Sequence, residues 1–502
     1  MKIATNEYLA EFEALCEKRK KEIRETKDID PRDICGYTYY VSNDGCDENN
    51  GMTPETPWKT LEKVGNTKLF PGECVRFRRG DIFRGTLSCQ AGVTYTGYGE
   101  GEKPRIYGWK CNLADPALWI CVDETHHIWK YAEQISDCGT LVFNGGQFHS
   151  RKLIPSYVQG RFVHRNDESK PFDMATDMTQ NLDIFCYFVG NQRIRPERGE
   201  TFSVPNVQDG CDGDLYLRCD DGNPGNVFHD IEAVTWNVAV TGNGNPQVHI
   251  DNLCLKYAKF GVSGGYPHVI GLHITNCEIG WIGGNIQNYT GEDPNYPQGT
   301  HGSVTRYGNG IEIYGGCEDY LVSNCYVYQV YDAGMSHQVS TYGRRYVMRN
   351  IRYVDNLIEK CVYGIEYFLE KIQGGEDSYM EDIQMSGNII CDSGYGWGQQ
   401  RHNIHTPAHI KGWSYANTAF NYRIHDNIMG RAGYRMIHLV AKEKESCPKM
   451  WNNTYIQDMG ATLGKYGYNE IQEPNDIRFD ESVEDSIIQV LGEKDPTVYY
   501  IP

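Results

Sequence analysis

The stretch that decides the fold runs from Asn309 to Phe368, NGIEIYGGCEDYLVSNCYVYQVYDAGMSHQVSTYGRRYVMRNIRYVDNLIEKCVYGIEYF. It repeats one phrase: an Asn before alternating apolar residues, then a Gly followed by an apolar and a polar residue. Anchored on the glycine, the phrase reads Gly310-Ile311-Glu312, Gly334-Met335-Ser336 and Gly364-Ile365-Glu366. Side chains alternate between the faces of a strand, so with Ile311, Met335 and Ile365 inward, Glu312, Ser336 and Glu366 stand outward in one column. An acidic column on an outer wall is where chemistry is expected.

Working outward, Asn recurs before a strand at 252, 276, 324, 356, 388 and 427, at spacings of 24, 48, 32, 32 and 39 residues. Repeats of this length, with inward Ile, Val, Leu and Cys, predict a parallel β-helix over residues 231–470. The spacing of 48, twice the first, predicts a further coil between 277 and 324. All six asparagines are assigned a structural role, stacked at one turn to satisfy backbone groups. Insertions at 286–308, 337–349, 369–382 and 398–420 predict a binding face along one flank.

Residues 6–25 read as an amphipathic helix with Tyr8, Leu9, Phe12, Leu15, Cys16 and Ile23 in a stripe and Asn6 as N-cap. Within residues 1–30 it is expected to close an open end of the stack, a dimer helix being the alternative. Residues 37–109 supply the first coils, with a strand at 74–78 and a short helix at 60–64. Residues 110–230 break the repeat and predict an inserted β-rich, sandwich-like subdomain. Its Arg193, Arg195 and Arg198 either wall a cleft or pair with neighbouring acids. Residues 471–502, ending acidic, read as a C-terminal cover.

Composition narrows the partners. A net charge of −19 over 502 residues argues against nucleic acid and anionic membranes, and weakly against a polyanionic substrate. The 36 Tyr and 9 Trp provide flat amphipathic rings of the kind that line sugar sites. Of the 18 cysteines, Cys254, Cys277, Cys325, Cys361 and Cys391 take inward positions as small buried thiols, and no C-x-x-C pair occurs. The opening MKIATNEYLAEFEALCEKRKKEI lacks the apolar core of a signal peptide, so a cytoplasmic protein with reduced thiols is expected. No metal or cofactor is called for. His402, His405 and His409 form H-x-x-H-x-x-x-H, but Pro407 breaks any helix that would align them. The oligomeric state stays open, a homo-oligomer included.

Rungs of a β-helix are about 4.8 Å apart, so Glu312 and Glu366 stand about 10 Å apart at the backbone with Ser336 between them. Asp332 enters the middle rung two residues before Gly334. One outward acid is ordinarily just solvated. Three on adjacent rungs form a constellation that suits glycoside hydrolysis, in which one carboxyl protonates the leaving oxygen and a second carboxylate attacks or activates water. Asp332 with Glu366 offers the close spacing of a retaining enzyme and Glu312 with Glu366 the wider one of an inverting enzyme. Candidate substrate contacts are Ser336 and Gln338, which share outward parity, His337, inward or on the loop, and Arg306, Tyr314, Trp281 and Trp397. Trp413 is a further candidate for ring stacking.

Two sets of phrases carry a family likeness. Tyr40-Val41-Ser42 with Gly45 and Asp47, Thr56-Pro57-Trp58-Lys59-Thr60-Leu61, Pro71-Gly72, Arg79-Gly80-Asp81, Gly97-Tyr98-Gly99 and Lys103-Pro104 resemble the opening coils of right-handed parallel β-helix carbohydrate-active enzymes, the pectate-lyase-like superfamily. Asn309-Gly310-Ile311-Glu312, Tyr331-Asp332-Ala333-Gly334 with His337-Gln338, and Tyr363-Gly364-Ile365-Glu366 resemble β-helix glycoside hydrolases of the β-xylosidase type, whose helix is interrupted by a β-sandwich. The resemblance implies an all-β right-handed parallel β-helix, and an Asp and a Glu from neighbouring coils as the catalytic pair, matched by Asp332 and Glu366. The expectation is a cytoplasmic glycoside hydrolase acting from a chain end on an imported oligosaccharide or small glycoside. Its rivals are a polysaccharide lyase, with Arg344, Arg345 and Arg349 as the cations, and a non-catalytic glycan-binding β-helix.

Overall fold

Ile311, Met335 and Ile365 are fully buried, and their strands pair in parallel, Ile311 with Met335 and Met335 with Ile365. Repeated coil after coil, this register makes a right-handed parallel β-helix, the hand that parallel crossovers adopt. The structure is a computed structural model describing residues 1–158, 161–164, 167–187, 193–195, 200–202, 213–290, 303–341, 343–371, 374–401, 406–413, 417–468 and 474–502. Arg198, His402, His405 and residues 291–302 of the first insertion lie outside them. Among the described residues no helix is long and apolar enough to cross a membrane.

The coils present three faces. The first runs from Thr38–Val41 to Lys449–Trp451. The second includes Glu278–Ile282, Tyr326–Val330, Leu357–Glu359 and Ile389–Cys391. The third includes Ile311–Tyr314, Ala333–Thr341, Tyr363–Lys371, Ala408–Gly412, Arg435–Ala441 and Thr462–Tyr468. One apolar core fills the axis; of the five thiols expected inward, Cys277, Cys325 and Cys361 join it, whereas Cys254 and Cys391 alternate with the inward Leu255 and Ile390 and lie on the outer side of the second face.

The chain leaves the ladder after Arg105–Tyr107 and resumes at Thr235–Thr241, yet Ile250 pairs with Tyr95 and Leu255 with Ile106, so the coils continue in register across the gap. The intervening residues build separate sheets around a second core, in which Trp119, Tyr131, Ile184 and Leu217 of one sheet meet Leu141 and Phe143 of another. This insertion emerges at the corner between the second and third faces. So does the hairpin Asn285–Thr290 with Ser303–Tyr307, and so does the turn Trp397–Gln400. Residues 343–346, 374–378, 413 and 417–418 occupy the opposite corner. Insertions therefore wall the third face along both edges rather than along one flank.

Three expectations need correction. No coil is hidden between 277 and 324: Glu278 pairs directly with Tyr326 and Ile274 with Val322, and the described residues that interrupt the coil pair as the hairpin strands Asn285–Thr290 and Ser303–Tyr307. The asparagines form two adjacent columns. Asn252, Asn276 and Asn324 occupy a left-handed turn position, which Asp355, Gly387, Asp426 and Asn452 continue. One residue further on, Asn356, Asn388, Asn427 and Asn453 are buried, each passing its amide to the next and ending on Glu493. Helix α1 (Asn6–Arg24) does not close an end. Capped by Thr5 rather than Asn6, it lies lengthwise on the second face, with Tyr8 stacked on Tyr499 at 3.9 Å, Cys16 and Ile23 buried against Leu357 and Ile389, and Arg24 paired with Glu278 at 2.9 Å. Lys2–Ile3 pairs in parallel with Tyr499–Tyr500 of the last coil. Apolar side chains of α2 (Leu61–Asn66) and α3 (Val483–Gln489) join the axial core near the first and last coils.

The buried Asn column makes a stability prediction. The Asn388 Oδ1 accepts the Asn356 N–H at 3.0 Å, and its Nδ2 donates to the Tyr353 carbonyl at 2.9 Å. Asn388→Leu orphans both buried groups, each costing about 1–3 kcal/mol. Urea unfolding should show a loss of at least about 2 kcal/mol, and an unchanged midpoint would contradict the column's role.

Candidate active site

The glycine phrase has a steric cause. A Cβ on Gly310 would meet the Gly334 carbonyl oxygen at 2.4 Å, one on Gly334 the Gly364 oxygen at 2.7 Å, and one on Gly364 the His409 oxygen at 2.5 Å. Each coil therefore sits directly on the backbone of the next. The following outward residues fall into line: Glu312 pairs with Ser336, Ser336 with Glu366, Glu366 with Lys411, Lys411 with His438 and His438 with Lys465. Tyr314, Gln338 and Phe368 form the next outward column.

Asn309 ties the first two rungs together, donating to Glu312 Oε2 at 2.6 Å and accepting the Ala333 N–H at 3.0 Å. That second bond fixes the turn carrying Asp332. Asp332 accepts from Arg401 at 2.5 Å; Arg401 also lies over the Tyr363 ring. Glu366 is 6% exposed and accepts from the Trp413 indole. Burial pushes the Glu366 carboxyl up to about 8, and the charge of Asp332 adds to the rise. Burial raises Glu312 to about 7, against the pull of Lys259 and the Asn309 hydrogen bond. The face thus holds two acids biased toward protonation beside an ion-paired carboxylate.

Beyond Glu366 the column turns cationic. Lys411 is buried, donates to Thr406 at 2.9 Å, meets His438 at 2.6 Å and lies 4.0 Å from the Trp413 ring centroid. Burial, then the charges of Lys411, Arg435 and Lys465, push His438 down to about 2, leaving it a neutral acceptor. Lys259 sits 3.8 Å over Trp236.

The predicted residues separate into two groups. Asp332, Glu366, Glu312, Ser336, Gln338 and Tyr314 share one stretch of the third face, Tyr314 being 39% exposed. Four substrate-contact candidates lie elsewhere. His337 has the opposite parity to Ser336 and points inward, bonded to the Tyr353 hydroxyl at 2.9 Å and stacked on Tyr367; burial pushes it down to about 3. Arg306, Trp281 and Trp397 are buried where the insertions meet the coils. Arg306 donates to the carbonyls of Gly284 and Gly139 and covers Tyr331, Trp397 donates to the Gln329 carbonyl at 2.7 Å, and Trp281 packs near Gly146. At that crowded corner a long amphipathic side chain is worth more as a wedge with a polar tip than as a surface ring.

His409 is likewise inside, bonded to Ser393 and the Gly430 carbonyl. Arg349 pairs with Glu318 on the first face, while Arg344 and Arg345 lie over Tyr346 and Tyr379. Arg401, Lys411, Lys259 and Trp236 escape sequence reading. Only Lys411 has a signal, since it repeats the outward step after Ile410 as Glu366 does after Ile365.

No protein-family model matches the chain, and no curated protein sequence matches it. Among solved structures it is similar to XylC in complex with xylose (11% identity, TM-score 0.42, 92% of this chain and 82% of that one). It is also similar to a GH136 lacto-N-biosidase from Eubacterium ramulus (13%, 0.39, 99% and 72%) and to an alginate lyase from Paenibacillus sp. str. FPU-7 (10%, 0.30, 91% and 99%). At these identities the side chains must carry any functional reading.

The raised Glu366 carboxyl makes a prediction independent of substrate. The fold resists its ionisation, so the penalty is absent below the ordinary value of 4.5, grows as pH rises and levels off above about 8. Glu366→Gln should match the wild-type Tm near the lower value and gain on it progressively toward the upper one. A constant Tm difference across that range would show that the carboxyl is not shifted.

Proposed function

We propose that this protein is a glycoside hydrolase whose catalytic pair is Asp332 and Glu366. The observation that carries the reading is the opposed electrostatics of two neighbouring carboxyl groups: Glu366 buried and pushed up to about 8, Asp332 ion-paired with Arg401. A carboxyl biased toward keeping its proton beside one held in an ion pair divides the acid and base roles. Glu366 donates its proton to the glycosidic oxygen, and Asp332 attacks the anomeric carbon or activates water. Glu312, bonded to Asn309 and Gln338, assists from the neighbouring rung. Gln338, Ser336 and Tyr314 supply polar and ring contacts to sugar hydroxyls.

Walls at both corners of the third face favour a short glycan taken from its end, an oligosaccharide or small glycoside. A cytoplasmic setting belongs to the same proposal, and buried thiols such as Cys277 and Cys325 suit a reducing compartment. A second reading, a lyase acting on a uronate glycan, is favoured by one observation: the column continues from Glu366 into Lys411, His438 and Lys465.

A panel of nitrophenyl glycosides and uronate oligosaccharides tests both readings. Hydrolysis should fall about 10²–10⁴-fold in kcat for Asp332→Asn and for Glu366→Gln, and wild-type kcat should decline as pH rises through about 8, where Glu366 loses its proton. Unsaturated, ultraviolet-absorbing products would identify the lyase, and activity surviving both substitutions would remove this pair from the chemistry.

A further inference from the structure

Helix α1 and the second face enclose a cavity of about 320 Å³ whose lining includes Cys16, Lys20, Glu359, Cys391, Asp392 and Arg431. Cys16 comes from the helix, while Glu359 and Cys391 are register partners on adjacent coils. Their two Sγ atoms and one Glu359 carboxylate oxygen lie within 4.8 Å of one another, and all three residues are buried. The carboxylate is already oriented. Its Oε2 accepts from the Tyr326 hydroxyl and from Lys20, each at 2.9 Å, while Oε1 is turned to Cys391 Sγ at 3.7 Å.

We propose that Cys16, Glu359 and Cys391 bind a thiophilic divalent cation of the Zn²⁺ class, with water from the cavity as the fourth ligand. Two thiolates and a carboxylate form a donor set that selects such ions, and three protein ligands leave a tetrahedral position open. The Tyr326 and Lys20 bonds hold the carboxylate as outer-shell partners hold metal ligands, one oxygen saturated and the other presented. These thiols also differ from those of the axis. Cys277 and Cys325 face inward among apolar side chains, whereas Cys16 and Cys391 adjoin a cavity bordered by charge.

Charge balance favours the exchange. The two thiols and the cation combine as M²⁺ + 2 RSH → M(SR)₂ + 2 H⁺, so loading adds two positive charges and releases two. The field of Glu13, Glu17, Lys20, Glu359, Lys360, Asp392 and Arg431 around the cavity is unchanged in sum. Because the ligands are brought together only by folding, the ion would fasten α1 to two coils and stabilise the folded chain.

The test uses the reduced full-length chain, stripped with chelator and titrated with Co²⁺. One equivalent should produce a thiolate-to-cobalt charge-transfer band in the near ultraviolet, which Zn²⁺ displaces. Cys16→Ala and Cys391→Ala should abolish it, and Zn²⁺ should raise the Tm of the wild type but not of either variant. Tyr326→Phe keeps all three ligands and should weaken Co²⁺ binding about 10–100-fold; it carries the test if an alanine variant does not fold. No band in the wild type, a band persisting in both alanine variants, or unchanged affinity in Tyr326→Phe would overturn the site.

Discussion

The structure depends on how closely one coil approaches the next. Carbonyl oxygens of Gly334, Gly364 and His409 come so near the α-carbons of Gly310, Gly334 and Gly364 that no side chain fits between. That contact removes freedom of register: a strand displaced by one residue would bring a β-carbon onto a carbonyl and turn its apolar side chains outward. Everything on the third face inherits this alignment. Glu312, Ser336 and Glu366 form a column because the glycines behind them do.

The reach of sequence reasoning follows from the same geometry. Parity within a strand is local, so the outward Glu312 and Glu366 and the inward Ile311 and Ile365 were legible from the repeat. The one-residue slip between Asn324 and Asn356 was not, because both asparagines precede an apolar residue and only backbone conformation separates a left-handed turn from the buried position after it. His337 was ambiguous for want of a boundary: strict alternation from Ser336 puts it inward, but only the observed strand to Thr341 establishes that alternation continues that far. Arg401 and Trp413 come from corner insertions, where nothing periodic ties them to Asp332 and Glu366. A charge that arrives from a loop is invisible to an argument built on spacing.

The electrostatics of the third face have a sharp boundary. Up to Glu366 the outward column is acidic or neutral, and from Lys411 onward it is basic or held neutral by neighbouring cations. Arg401 crosses that boundary from the side to meet Asp332. The overall charge of −19 says nothing of this partition. Low-dielectric walls make the local field, rather than the net charge, decide which carboxyl keeps its proton.

A stack of coils is ordinarily a local structure, each turn needing only the turn before it, and can form progressively as a chain is made. The parallel pairing of Lys2–Ile3 with Tyr499–Tyr500 breaks that habit. Residues 2 and 3 find their partner strand only once residues 499 and 500 have been made, so until then they have no coil to join. The pairing converts an open-ended array into a closed circuit in which fraying at the last coil also frees the edge where α1 begins.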